Sequence, residues 1–274
     1  MTHTIPSAGI VITHSDFLPR FLRPTRQQFF VEIKPDRILN CRFANFVIVQ
    51  NRHDPIRSGI ARWVIDSAFV YYWPQPGLVS RNADRGDRFE NICFMGNERQ
   101  FLKGGQLIAA ELKRLDLTWR MVPRSGWPDY SEGGAVVAIR RVNPATLCDS
   151  EPLADEAPAR KPPSKLYNAW LAGVPAILSS DDAFQELRQS RLDFLEANDV
   201  PGLIARVKEL KADPSLRRAM VEHGRARAVD FTASQIQACG SISSGTGSKP
   251  ATSAGGVPLS IGDRHSSPGP WSAS

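Results

Sequence analysis

The sequence predicts an α/β protein built from two parallel-sheet halves. Three observations support this. Short runs rich in β-branched and aromatic residues recur along the chain, segments able to form helices or loops separate them, and one Pro/Gly-rich charged stretch interrupts the alternation. With 274 residues and 42% hydrophobic composition there is enough apolar material for one large core or two modest ones.

The first half, residues 1–75, contains GIVIT, FFVEI, FVIVQ and AFVYYW as strands, with crossovers such as SDFLPRFL and RSGIARWVID between them. Strands joined this way suit a parallel sheet with covered faces. The half is short and begins at its first strand, so it reads either as a reduced domain or as one whose beginning this chain lacks. Residues 76–90, within WPQPGLVSRNADRGDRFEN, read as a linker, and the proline-rich WPQPGL as a semi-rigid hinge.

The second half, residues 91–233, opens with strand NICFMG and helix QLIAAELKRLDL, whose Leu107, Ile108, Leu112 and Leu115 are expected on the buried face. Strand TWRMV, a loop, strand AVVAIR, a proline-bounded acidic loop, a helix over 165–172 and strand AIL follow. Two helices close the fold, PGLIARVKELKA and one begun by Asp213-Pro214, an N-cap acid with proline at the first helical position. From 234 to 274 the composition turns to Ser, Gly, Pro and Thr. Such a segment cannot offset an ordering cost of about 1–2 kcal/mol per residue, and a disordered tail is expected.

Composition also narrows the function. No apolar run approaches the ~20 residues of a membrane span and the N-terminus lacks a signal-peptide pattern, so a cytoplasmic location is expected. Cys41, Cys93, Cys148 and Cys239 are scattered, without metal-ligand spacing, and read as reduced thiols. The net charge of +6 is concentrated partly in Arg20, Arg23, Arg26, Lys34, Arg37 and Arg42. This 20–42 patch suits a phosphorylated ligand or peripheral contact with an anionic membrane. Nucleic acid is not an expected partner, because stacking aromatics do not interleave the basic residues.

The chemistry concentrates in KPPSKLYNAWLAGVPAIL, residues 161–178. Pro162 and Pro163 hold the entry extended, Ser164 can cap, and Gly173 stops the helix. Leu166, Ala169 and Trp170 would pack on the sheet, leaving Lys165 and Asn168 on a face open to a ligand. A helix N-terminus carries unpaired N–H groups and about half a positive charge, to which Lys161 and Lys165 add two full charges. A diphosphate fits that environment.

From Phe89 to Thr232 the chain resembles the C-terminal nucleotide-sugar-binding domain of GT-B glycosyltransferases of the group 1 type. Lys161, Pro162, Lys165 and Leu166 match a K-P-x-x-K-L segment, and Ala172, Gly173, Pro175 and Ile177 match A-x-G-x-P-x-I. DPSLRRAMVEHGRARAVDFT is similar to the last helices of such domains. The resemblance implies a nucleotide-sugar donor held by Lys161, Ser164, Lys165 and Asn168, with Gly96, Asn97 and Lys103 near its phosphates. It also implies sugar transfer to a glycan, lipid or protein hydroxyl with no metal and no cofactor beyond the donor. The first half would present the acceptor. There His14, at a strand's carboxyl end with Asp16 two residues on, is the candidate general base.

Two departures stand against that implication. Retaining relatives carry two glutamates in and before this helix, whereas Arg160 and Asn168 occupy the aligned positions; the phosphate-clamping arginine is displaced to Arg99. Other readings are a non-catalytic GT-B-like protein that binds a nucleotide or a partner, and a nucleotide-sugar epimerase.

Overall fold

A computed structural model describes residues 5–17, 22–35, 43–54, 67–96, 104–139 and 161–240. The expected two parallel sheets are present. In the first, β1 (Gly9–His14), β2 (Gln28–Lys34), β3 (Phe46–Val49) and β4 (Ser67–Phe69) lie side by side in chain order. Ile10 pairs with Phe29, Val31 with Phe46 and Ile48 with Ala68, so these residues share one face of the sheet. Val47 and Val49 are buried on the other, with Ala44 and Phe69. β1 is one of the two outer strands, and its Ile10 and Ile12 are exposed.

The second sheet contains β5 (Asn91–Phe94), β6 (Thr118–Met121), β7 (Ala135–Ala138), β8 (Ala176–Leu178) and β9 (Leu195–Glu196), in the order β6-β5-β7-β8-β9. Helices α1 (Gly104–Arg114) and α4 (Val200–Ala212) cover the face carrying Ile92, Phe94, Val137 and Ile177. Helices α2 (Ser164–Ala172) and α3 (Asp182–Leu187) cover the face carrying Cys93, Val136, Ala138 and Leu178. Helix α5 (Pro214–Ala228) packs on α2. Each fully buried aliphatic or aromatic side chain stabilises this core by about 1.5–3 kcal/mol.

The caps follow the sequence in part. Asp199 accepts from the Gly202 amide at 2.7 Å and Asp213 from the Leu216 amide at 2.9 Å, and both helices carry proline in the first turn. Gly173 ends α2 in the left-handed region at φ 68°. Ser164, however, is not the cap. Pro163 occupies that position and Ser164 is already helical, so no side chain caps the start of α2.

Three further expectations are corrected. Leu107 is half exposed, because it lies one residue off the stripe formed by Ile108 and Leu112. Residues 233–240 form helix α6 (Ala233–Gly240) instead of starting a tail, held by the burial of Ile236; 241–274 lie outside the described residues. Lys34 belongs to no surface patch. It is fully buried in an ion pair with Asp54, while Arg23 and Arg26 are exposed and Arg20, Arg37 and Arg42 lie outside the described residues.

The stretch expected as a linker is laid along the second half from Val79 onward. Val79 exchanges backbone bonds with Pro128 and Tyr130, Arg81 donates to Ala172, and Asn82 donates to Ser131. Among the described residues no helix is long and apolar enough to cross a membrane.

Candidate functional site

In the second sheet β5 is followed in the chain by its neighbour on one side, and β7 pairs on the other. The order in which strands are added therefore reverses between β5 and β7. In open α/β sheets ligands bind at the carboxyl ends of the strands flanking such a reversal. The first sheet, in simple chain order, has no such point among its described strands.

Lys165 reaches this point. Its ammonium donates to the carbonyl of Met95, just past the end of β5, and lies 5.2 Å from the centre of the Trp127 ring. Gly96 comes next, and a Cβ there would stand 2.3 Å from the Phe94 ring, so close approach alone requires glycine. The start of α2, without a side-chain cap, lies on the same side of the sheet, at the end of the crossover from β7.

The first half meets this region through the segment after β3. Asn51 donates to the Lys161 carbonyl at 2.9 Å. Arg52 pairs with Glu186 of α3 at 2.5 Å, and His53 lies 3.6 Å from the same carboxylate. The Arg52 guanidinium also stacks over Phe69, 4.4 Å from its centroid. Beneath the segment, Lys34 and Asp54 pair at 2.6 Å, both almost wholly buried. The buried Gln50 Oε1 has no hydrogen-bond partner among the described residues. Burial, then Glu186, pushes the Tyr71 phenol up.

The residues expected from sequence divide clearly. Lys161, Ser164, Lys165 and Gly96 are brought together around the amino end of α2 and the end of β5. Asn97 and Lys103 lie outside the described residues, as does Arg160. Asn168 is corrected: it is buried, not open to a ligand, and its Oδ1 accepts from the Gln75 amide at 3.0 Å. Burial pushes the Tyr130 phenol up, against a smaller opposing influence of Asn168.

His14 does end β1, with Asp16 beside it, but the pair is turned the wrong way for a base. The Asp16 amide donates to His14 Nδ1 at 3.1 Å, and the carboxylate stands 3.8 Å from the same nitrogen. A neutral imidazole whose Nδ1 accepts carries its proton on Nε2, which leaves no free basic nitrogen.

No family model and no curated protein matches the sequence. Solved structures do match. Sucrose-phosphate synthase from Thermosynechococcus elongatus aligns over 77% of this chain and 65% of its own, at 14% identity and TM-score 0.51. TarM aligns over 85% and 54%, at 8% identity and TM-score 0.56. HepE of Anabaena, in complex with UDP, aligns over 77% and 70%, at 13% identity and TM-score 0.50. The fold is GT-B.

This GT-B chain thus spans about two thirds of the length of the synthase and about half that of TarM. Sequence reasoning missed several residues where the two halves meet. Asn51, Arg52 and Glu186 carry no local pattern, since their contacts are made between halves. Lys34 did carry a signal: in QFFVEIK it alternates with Phe30 and Glu32, which places it on a buried face.

Proposed function

We propose that this chain is a glycosyltransferase that moves a sugar from a nucleotide-sugar donor to an acceptor hydroxyl. The observation that carries the proposal is the Lys165 ammonium at the end of β5, beside the uncapped start of α2 and at the reversal point of the sheet. Charge develops on the leaving nucleoside diphosphate as the glycosidic bond breaks. A lysine and a helix N-terminus already aimed at that position stabilise it without reorganisation. Lys161 adds charge at the entry, and protein groups supply this neutralisation without a bound metal. The acceptor lies on the side of the first half. His14 has no part as base.

UDP is the first nucleotide to test, because HepE is described in complex with it. Calorimetry with UDP, followed by a panel of UDP-sugars scored for slow donor hydrolysis, tests the reading. Binding to the native chain is expected, weakened about 10-fold or more in Lys165→Met, with turnover unchanged by EDTA. If UDP and other nucleoside diphosphates bind the variant as tightly as the native chain, the phosphate assignment is wrong.

One observation favours a second reading, a GT-B protein that binds a nucleotide and transfers nothing. Asn168, in the position where retaining relatives carry a glutamate, is buried and committed to Gln75. Nucleotide binding without turnover across donors and acceptors is the result that would decide for it.

A further inference from the structure

At the opposite end of the second sheet, where β5, β7 and β8 begin, lies a cavity of about 500 Å3. The strap of residues 81–89 forms one wall and α5 the other, with Gly134, Gly173 and Pro175 between them. Arg81 and Arg88 come from the strap, and Arg217, Arg218 and Arg225 from α5. Against these five arginines stand two carboxylates, Asp87 and Glu222.

Three of the arginines, Arg81, Arg88 and Arg217, are held by backbone carbonyls. Arg81 donates to the Gly133 carbonyl at 3.0 Å and the Arg88 carbonyl at 2.8 Å. Arg217 donates to the carbonyls of Leu210 and Asp87, and Arg88 to those of Arg85 and Asp84. Backbone carbonyls fix a guanidinium in place but do not neutralise it. One carboxylate pair is formed, Arg218 with Asp87 at 2.5 Å. Arg225 is exposed over the end of α2, where a Cβ on Gly173 would stand 3.2 Å from its Nη2, and it makes no hydrogen bond or ion pair among the described residues.

The electrostatics agree with the geometry. Burial, then the neighbouring Arg85, Arg217 and Arg88, lowers the pKa of Arg81; burial likewise lowers that of Arg217. Guanidinium groups still stay charged at any working pH. A positive field in a partly desolvated concavity is the environment that favours an anion. The volume falls in the ~300–1,000 Å3 range of small-molecule sites and exceeds what one inorganic ion needs.

We propose that this cavity binds a soluble small molecule carrying two or more phosphate charges, at a site separate from the donor site. The two sites lie at opposite ends of α2. Its start faces the carboxyl ends of the strands, and Gly173 at its finish lines the cavity, about 13 Å away at 1.5 Å per residue. The guanidinium N–H groups not spent on carbonyls give such a ligand charge-assisted hydrogen bonds.

The test uses inorganic pyrophosphate as probe and calorimetry on the full chain at fixed ionic strength. Lys165→Met comes first, which removes the donor-site lysine and isolates the cavity. That variant is expected to bind pyrophosphate. Adding Arg218→Gln and Arg225→Gln, both on the exposed side of α5, should weaken binding at least ~10-fold. Circular dichroism checks that the triple variant is folded; Arg225→Glu in the Lys165→Met background serves as a second, single-site probe and should weaken binding likewise. Absence of pyrophosphate binding in Lys165→Met overturns the proposal, as does affinity that neither set of α5 substitutions changes. Either result leaves the donor-site reading intact, since that reading is decided by Lys165 alone.

Discussion

The Asn51 side chain joins the two halves: its Nδ2 donates to the Lys161 carbonyl at 2.9 Å, while its Oδ1 accepts from the His53 amide at 2.8 Å. Both ends of a buried amide are thus used, one inside its own loop and one across the cleft. The consequence lies in α2. Lys161 stands three residues before that helix, so the first half sets the entry to the helix whose start is assigned to phosphate.

Replacing Asn51 by Leu removes both bonds and leaves the Lys161 carbonyl and the His53 amide without this partner. Urea unfolding should show a loss of about 1–3 kcal/mol. UDP affinity should fall as well, although Asn51 touches no ligand in the proposal, because Lys161 loses this anchor. Asn51→Asp, which retains the acceptor toward His53 and loses the donor, should fall between. Native stability and UDP affinity in Asn51→Leu would refute the coupling.

The Lys34–Asp54 pair makes a sharper stability prediction. Both groups are buried and 2.6 Å apart. Lys34→Met takes this partner from the buried Asp54 carboxylate and should cost about 3–5 kcal/mol. The double variant Lys34→Met/Asp54→Leu removes both charges and should recover most of that loss. Additive losses in a double-mutant cycle would mean that the two charges do not stabilise each other.

Acid should weaken the start of α5. The Asp213 carboxyl is held below the usual carboxylate range by the Ser215 hydroxyl and then by the Leu216 amide. A carboxyl depressed in the folded state contributes stability above its unfolded value of ~3.9, and that contribution is lost as pH falls through the lower folded value. Denaturant melts between pH 7 and pH 2 should therefore fall less steeply below pH 4 in Asp213→Asn, which caps without titrating. Parallel acid profiles for the two proteins would contradict the assignment.

What could be read from sequence depended on how local the cause was. Parallel strands were legible because runs such as FFVEI and FVIVQ are β-branched and aromatic, and α2 because Gly173 and Pro175 mark its end. Lys165 was legible as a charge at a helix start, but its reach to Met95 required the sheet order. Asn168 was misjudged because its partner Gln75 is 93 residues away. Strand β9 is two residues long and α6 carries a single buried aliphatic residue, Ile236; neither has enough periodicity to register.

The close approach of α5 to α2 rests on Gly224, and it can be tested by adding one methyl group. A Cβ on Gly224 would stand 2.7 Å from Trp170 Cδ1 and 3.4 Å from its Cα. Trp170 has nowhere to go: it is buried, its Nε1 donates to the Asp193 carbonyl at 3.0 Å, and Arg227 stacks 4.9 Å from its ring. Alanine would gain about 1 kcal/mol over glycine in helix propensity, whereas overpacking a fixed aromatic costs about 1–3 kcal/mol. Gly224→Ala should therefore lose up to about 2 kcal/mol net, seen in urea melts, and should do less harm in a Trp170→Leu background where the ring is gone. A stabilised Gly224→Ala would show that propensity governs this position and that α5 stands farther from α2.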